Sequence, residues 1–249
     1  MLYGYGYVNN HMPTLKATVM KISAAVSTLL TGLYAVYKGE SNANDSLGTY
    51  NGTAQGGLTY SAGKSGNCFQ FNGTNAYIAL PDNSLNLTGS ISVSLWWYVD
   101  LTNDQVFIGN RQKNGGSINH GWQFRYNSSG LIFRVMNLTT DTEWTASNVI
   151  SGGMAGTWVH LMVVKSSSTN FKVYVNNVEY NMIGGVSAEP AYLTNQKCTI
   201  GNVWTGTAFD SYMKSGSRID ELGVWNKALT LTDRADLYNA GAGKFYPTF

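Results

Sequence analysis

The chain has 249 residues, of which only 12% are charged, against 43% hydrophobic, 28 Gly and 16 Tyr. Abundant β-formers and turn formers with few Lys and Glu exclude a helical protein, and the length suits one all-β sandwich with a sizeable core. A formal net charge of +2 without a basic cluster leaves no electrostatic footprint for nucleic acid.

Residues 1–32 differ in kind from the rest. Met1-Leu2-Tyr3-Gly4-Tyr5-Gly6-Tyr7 is a Gly-Tyr arm without an apolar period. After Pro13, a residue suited to a first helical turn, Leu15, Val19, Ile22, Val26, Leu29 and Leu33 recur at alternating intervals of four and three, which is a heptad seam. Fewer than three repeats do not sustain a coiled coil alone. The seam is therefore expected to be buried against a neighbour: another protein, copies of itself as a trimer or dimer, or the sandwich of its own chain. A targeting segment starting at Met20 is the rival reading, but it leaves residues 1–19 unexplained and has no small-residue cleavage pattern. The apolar run from Ile22 is too short for a membrane span. The expected division is an arm and docking helix over 1–32 and a sandwich over 33–249.

Beyond the arm the apolar stretches are short and bounded by polar turns: 71–81, 91–99, 158–164, 171–177 and 200–202. The last, 218–231, joins a strand, an acidic pair and a helix start. Ile219, Glu221, Gly223 and Trp225 hold one parity and Asp220, Leu222 and Val224 the other, so the adjacent acids are expected on opposite faces. Asn226-Lys227-Ala228 turns the chain, and Thr230 or Thr232 with Asp233 caps a short helix through Ala235, Leu237 and Tyr238, stopped by Gly241. In order and spacing these stretches resemble a laminin-G-like domain of the concanavalin A-like lectin/glucanase superfamily, over roughly residues 33–243. The resemblance implies a two-sheet antiparallel jelly-roll sandwich and is silent on function, because the fold hosts lectins, glycosidases and structural modules. It also places Cys68 and Cys198 as core thiols; a bridge between them stays open, although one pair is no disulfide framework. Trp97, Trp158 and Trp225 are assigned to the core.

Catalytic motifs are missing. The chain has no His-Glu-x-x-His, Cys-x-x-Cys, Gly-x-Ser-x-Gly or phosphate loop. The alternating carboxylates of the superfamily's glycosidases are also lacking: Asp141 and Glu143 have the spacing but read as a turn. His160, among apolar neighbours, reads as structural rather than as a base. Similar laminin-G-like domains hold calcium between an oxygen-rich loop and the closing strand, and the resemblance implies Asn42, Asp45 and Asp220 as ligands; an Asx turn with Asp220 bonding it directly is the alternative. A sugar platform needs a ring face beside polar donors. Trp122, Trp144 and Trp204, expected in loops, and His120 and Arg125, assisted by Arg111, are the candidates.

These features point to a non-enzymatic protein. A single lectin-like sandwich with such an arm and seam helix resembles the accessory domains of bacteriophage virions. The first expectation that this implies is a virion decoration or fibre protein at a capsid or tail surface, fixed through its arm to other virion proteins, homo-oligomeric, and displaying a lectin-like domain to host glycans. A carbohydrate-binding module of a bacterial surface protein and an atypical glycosidase are the alternatives.

Overall fold

The computed structural model describes residues 27–249 except 103, 114–118, 138, 187 and 188. In chain order the strands are β1 (Leu33–Tyr37), β2 (Thr53–Gln55), β3 (Thr59–Ala62), β4 (Asn67–Gln70), β5 (Tyr77–Leu80), β6 (Ile91–Tyr98), β7 (Gln105–Gly109), β8 (Gln112–Lys113), β9 (Asn119–Asn127) and β10 (Gly130–Asn137). They continue with β11 (Thr140–Ala146), β12 (Trp158–Lys165), β13 (Phe171–Val175), β14 (Val178–Asn181), β15 (Ile183–Gly184), β16 (Cys198–Ile200), β17 (Val203–Trp204), β18 (Phe209–Asp210) and β19 (Arg218–Trp225), before the helix α1 (Leu231–Tyr238).

All pairings are antiparallel and form two large sheets, as the composition and the resemblance led us to expect. A back sheet runs β14-β13-β12-β6-β19-β4-β3 with β1 also on β19. A front sheet runs β15-β11-β10-β9-β7-β16-β5-β2 with β8 on β9, and β17 and β18 form a separate ribbon. Alternation places the facing sides. Val93, Leu95 and Trp97 of β6 and Val159, Leu161 and Val163 of β12 share one core with Trp122 and Phe124 of β9 and Phe133 and Val135 of β10. Each such side chain contributes about 1.5–3 kcal/mol on burial. Cys68 and Cys198 are buried free thiols within this body. At the β13–β14 turn, Asn176 and Asn177 both take positive φ (49° and 65°), the backbone a two-residue hairpin with the right twist demands and Asn tolerates.

The outer side of the back sheet carries a second apolar cluster of Leu29, Met162, Val164, Tyr174, Trp225, Leu229 and Leu237, with α1 contributing Leu237. Thr230 starts α1 through a capping box: its hydroxyl accepts from Asp233 N, and the Asp233 carboxylate accepts from Thr230 N. Asn239, left-handed at φ 45°, ends the helix ahead of the Gly241 expected from sequence.

Three expectations are corrected. Residues 27–33 do not continue a helical seam: Ser27 caps a single 3-10 turn, Thr28–Leu30, and Gly32 at φ 70° leads into β1. Leu29 is fully buried in its own chain beside Trp225, whose indole N–H donates to Leu29 O at 2.8 Å, so it cannot contact a partner. A boundary at 32/33 therefore cuts a packed unit; Leu15, Val19, Ile22 and Val26 lie outside the described residues. Secondly, a bulge between Asp220 and Gly223, with Glu221 at φ 48°, resets the parity of β19. Asp220, paired with outward Trp96, and Glu221, lining a cavity with Trp96 and Trp225, both lie on the outer side. Thirdly, Trp158 is only half-buried, its ring edge-on to Tyr98.

Candidate functional site

The outer side of the front sheet gathers the chemistry. On β9, Trp122, Phe124 and Tyr126 enter the core, which turns Gln123 and Arg125 outward. Register then aligns a row across the sheet: Thr199 opposite Gly109, Gly109 opposite Gln123, Gln123 opposite Arg134, and Arg134 opposite Glu143. The ribbon strand β17 runs against β7, β8 and β16 at the edge of this row. It is anchored at its start, where Thr199 Oγ1 donates to Asn202 O at 2.8 Å.

Several polar groups here lack partners. Gln123 and Asn202 are each fully buried, and both amide atoms of each side chain are without a hydrogen bond among the described residues. Arg125 Nε and Arg111 Nε are likewise unpartnered. Neither ring nitrogen of buried His120 makes a hydrogen bond of normal geometry. Burial lowers the His120 pKa, so the ring is neutral at pH 7, with the backbone of Gln112 acting in the opposite direction. A buried amide left unsatisfied costs about 1–3 kcal/mol, and native proteins keep such groups where water or a ligand completes them.

Beside these groups stands an aromatic rim. Phe209 lies 4.7 Å from Trp204 and 4.5 Å from Tyr77, with Tyr212 a further 6.3 Å from Tyr77. All four are half-buried, so ring area remains open to solvent. Half-exposed rings next to side-chain amides and guanidiniums can stack on the apolar face of a sugar and bond its hydroxyls.

Of the residues expected from sequence, Trp204, Arg125 and Arg111 meet at this face, and His120 sits at its β8–β9 end. Trp122 and Trp144 do not belong to it. Both lie on strands, not loops, and turn inward: Trp122 stacks on Phe133 and donates its indole N–H to Leu85 O at 2.9 Å, while Trp144 stacks on Phe171 at 4.5 Å. Asp141 and Glu143 are also on a strand, β11, not in a turn, and Arg134 holds both, at 2.5 Å and 3.3 Å. Gln123, Asn202, Tyr77, Phe209 and Tyr212 were not foreseen. The alternation through residues 121–126 could have turned Gln123 outward on paper.

The residues implied for calcium do not fit it. Asp45 Oδ1 accepts from Val36 N and Leu47 N, and Oδ2 from Thr49 N and Tyr50 N, at 2.9–3.2 Å. Four donors fill the four lone-pair sites of a carboxylate. Asn42 is spent on a local turn, donating to Glu40 O and accepting from Asn44 N. Asp220 accepts from Ser65 N and Glu221 N, and burial raises its pKa to about 7. No group of three or more His, Cys, Asp or Glu suited to a metal occurs among the described residues. Adding EDTA is thus expected to leave the melting temperature unchanged; a fall on chelation, restored by calcium, would reinstate the metal.

No curated protein matches the chain. Among solved structures, domain 4 of AbnA, an extracellular GH43 arabinanase from Geobacillus stearothermophilus, determined with arabinotriose, superposes with a TM-score of 0.62 at 23% identity, covering 85% of this chain and 98% of that one. The binding domain of Paraclostridial Mosquitocidal Protein 1 gives 0.61 at 14% identity, over 85% of this chain and 52% of that one. The binding domain of Botulinum neurotoxin DC, solved with rat synaptotagmin II, gives 0.60 at 17% identity, over 84% and 52%. This chain thus spans about half of each toxin domain, and identities this low show a shared fold alone. A family model matches residues 72–233, well over half of the chain, and the protein belongs to that family, Laminin_G_3 of the concanavalin A-like lectin/glucanases superfamily.

Proposed function

We propose that this chain is a non-enzymatic, lectin-like module that binds a glycan on the outer side of its front sheet. The observation that carries the reading is the cluster of half-open rings of Trp204, Phe209, Tyr77 and Tyr212 on the sheet side that also holds the guanidinium of Arg111. The arabinanase domain solved with arabinotriose and a neurotoxin binding domain solved with SialylT support the ligand class. A hydrolytic role is disfavoured because Asp141 and Glu143, the carboxylates at alternate positions on this face, are both held by one guanidinium. Trp204→Ala is expected to weaken binding on a glycan array at least about tenfold, the worth of one stacking ring face, with the fold kept. Wild-type affinity in that variant would sink the site.

The module is displayed, in this reading, at a virion surface, capsid or tail, by residues 1–26, whose seam of Leu15, Val19, Ile22 and Val26 joins copies of the chain or neighbouring virion proteins. Burial of Leu29 fixes where a truncation can start. The full chain is expected to run as a trimer or dimer and residues 27–249 as a monomer in light scattering. A monomeric full chain that joins no larger particle would refute this attachment.

A further inference from the structure

Three guanidiniums converge on the Gln123 row. Arg134 lies opposite Gln123, Arg125 two residues along the same strand, and Arg111 two residues beyond Gly109, the β7 partner of Gln123. With strands about 4.8 Å apart and about 3.4 Å per residue, their backbones lie within roughly 15 Å of one another. Two of them are neutralised in place: Asp104 pairs with Arg125, and Asp141 and Glu143 hold Arg134.

Arg111 differs. Among the described residues no carboxylate lies within ion-pair distance of it, and its Nε is buried without a partner. Burial is the main cause that lowers its pKa, and Arg134 and Arg125 add repulsion, while Asp141 and Glu143 act the other way from beyond ion-pair distance. A neutral sugar would leave this guanidinium desolvated and uncompensated. A carboxylate matches its planar fork with two parallel hydrogen bonds and cancels the repulsion.

We infer that the glycan taken by this face carries a carboxylate, as a uronic or sialic acid does, and that Arg111 binds it while the half-open rings take the apolar face of the sugar. This rests on the glycan-binding reading above. The test is an array of acidic and neutral glycans probed with the full chain, followed by calorimetry with trigalacturonic acid and 3′-sialyllactose against the methyl ester of the first and lactose. One acidic probe is expected to bind at least about tenfold more tightly than its uncharged counterpart, the worth of one charge-assisted hydrogen-bond pair, with the preference shrinking as salt rises. Arg111→Gln should bring the ratio to about one. Equal affinity for acidic and uncharged probes, or a preference that survives Arg111→Gln, overturns the carboxylate assignment and leaves the glycan reading standing. Binding to no glycan on the array overturns both. The ester comparison uses the unaltered chain, so a misfolded variant does not shield the assignment.

Discussion

Replacing Asp45 with alanine is expected to lower the unfolding free energy by about 3–5 kcal/mol, a third or more of what a domain of this kind holds in reserve. The carboxylate is 3% exposed and is the hub of the 36–50 segment, taking the backbone N–H groups of Val36, Leu47, Thr49 and Tyr50. Its removal strands four donors at once, and each bond to a charged acceptor is worth about 1.5–3 kcal/mol before non-additivity. The same segment positions Tyr50, whose carbonyl accepts from Tyr37 Oη at 2.9 Å and whose hydroxyl accepts from Tyr34 Oη at 2.8 Å, so the damage reaches β1 and with it the back sheet. Asp45→Asn should be nearly as costly, because its amide nitrogen would point hydrogens at two of the donors. Urea unfolding measures both. A loss below about 1 kcal/mol would mean that the segment holds its shape without the carboxylate.

The fold was largely legible because long-range order in a sandwich is written as period-two alternation. The strand 91–98 and the capped helix after Trp225 could be placed from residue types alone. What broke the reading was local backbone that alternation does not encode. Glu221 in the left-handed region adds a residue to β19, and nothing in Ile-Asp-Glu-Leu-Gly marks it, since any parity count assumes an unbroken pleat. The heptad spacing up to Leu33 was similarly ambiguous: the same four-three intervals fit a strand entry in which Leu29 drops under Trp225, and Gly32 at φ 70° was the breaker to weigh. The site was half legible. Trp204, Arg111 and Arg125 could be chosen as chemistry-bearing types, but Gln123 and Asn202 are ordinary residues until burial without partners sets them apart, and that is a property of three dimensions.

Stability is expected to rise by about 1–3 kcal/mol as the pH falls from about 8.5 to about 6.5, the reverse of ordinary acid destabilisation. Burial lifts Asp220 from 3.8 to about 7. It lifts Glu221 from 4.5 to about 8, helped by the neighbouring Asp220 charge. Glu221 faces Lys38 at 3.9 Å, which acts against the rise, and the carboxylate of Glu40, which adds to it. Lys244 and neutral His160 line the same small cavity, and Lys64 stands over the Trp96 ring beside it. The folded chain therefore holds protons that the unfolded chain has already released near pH 4–5, and their contribution, complete below those values, is lost as the pH rises through about 7 and about 8. His160 works in the opposite sense. Burial drops it to about 3, so its contribution is present above the ordinary histidine value and lost only below it. Between about pH 6.5 and 8.5 the two acids thus dominate, with the lowered His120 opposing them weakly at the lower end and the raised thiols of Cys68 and Cys198 adding a little at the upper end. Each whole proton is worth about 1.4 kcal/mol per pH unit before the pair's mutual coupling reduces it. For a chain of this size the gain amounts to a rise in melting temperature of about 3–10 °C. Glu221→Gln, which keeps the shape and removes the ionisation, should remove the Glu221 share of the slope and stabilise the protein at pH 8.5, while the Asp220 share of the slope remains. A melting temperature that is constant or climbs between pH 6.5 and 8.5 would show that the two carboxylates are charged in the fold, and that the outer side of β19 is wetter than its packing under Trp225 and the C-terminal residues implies.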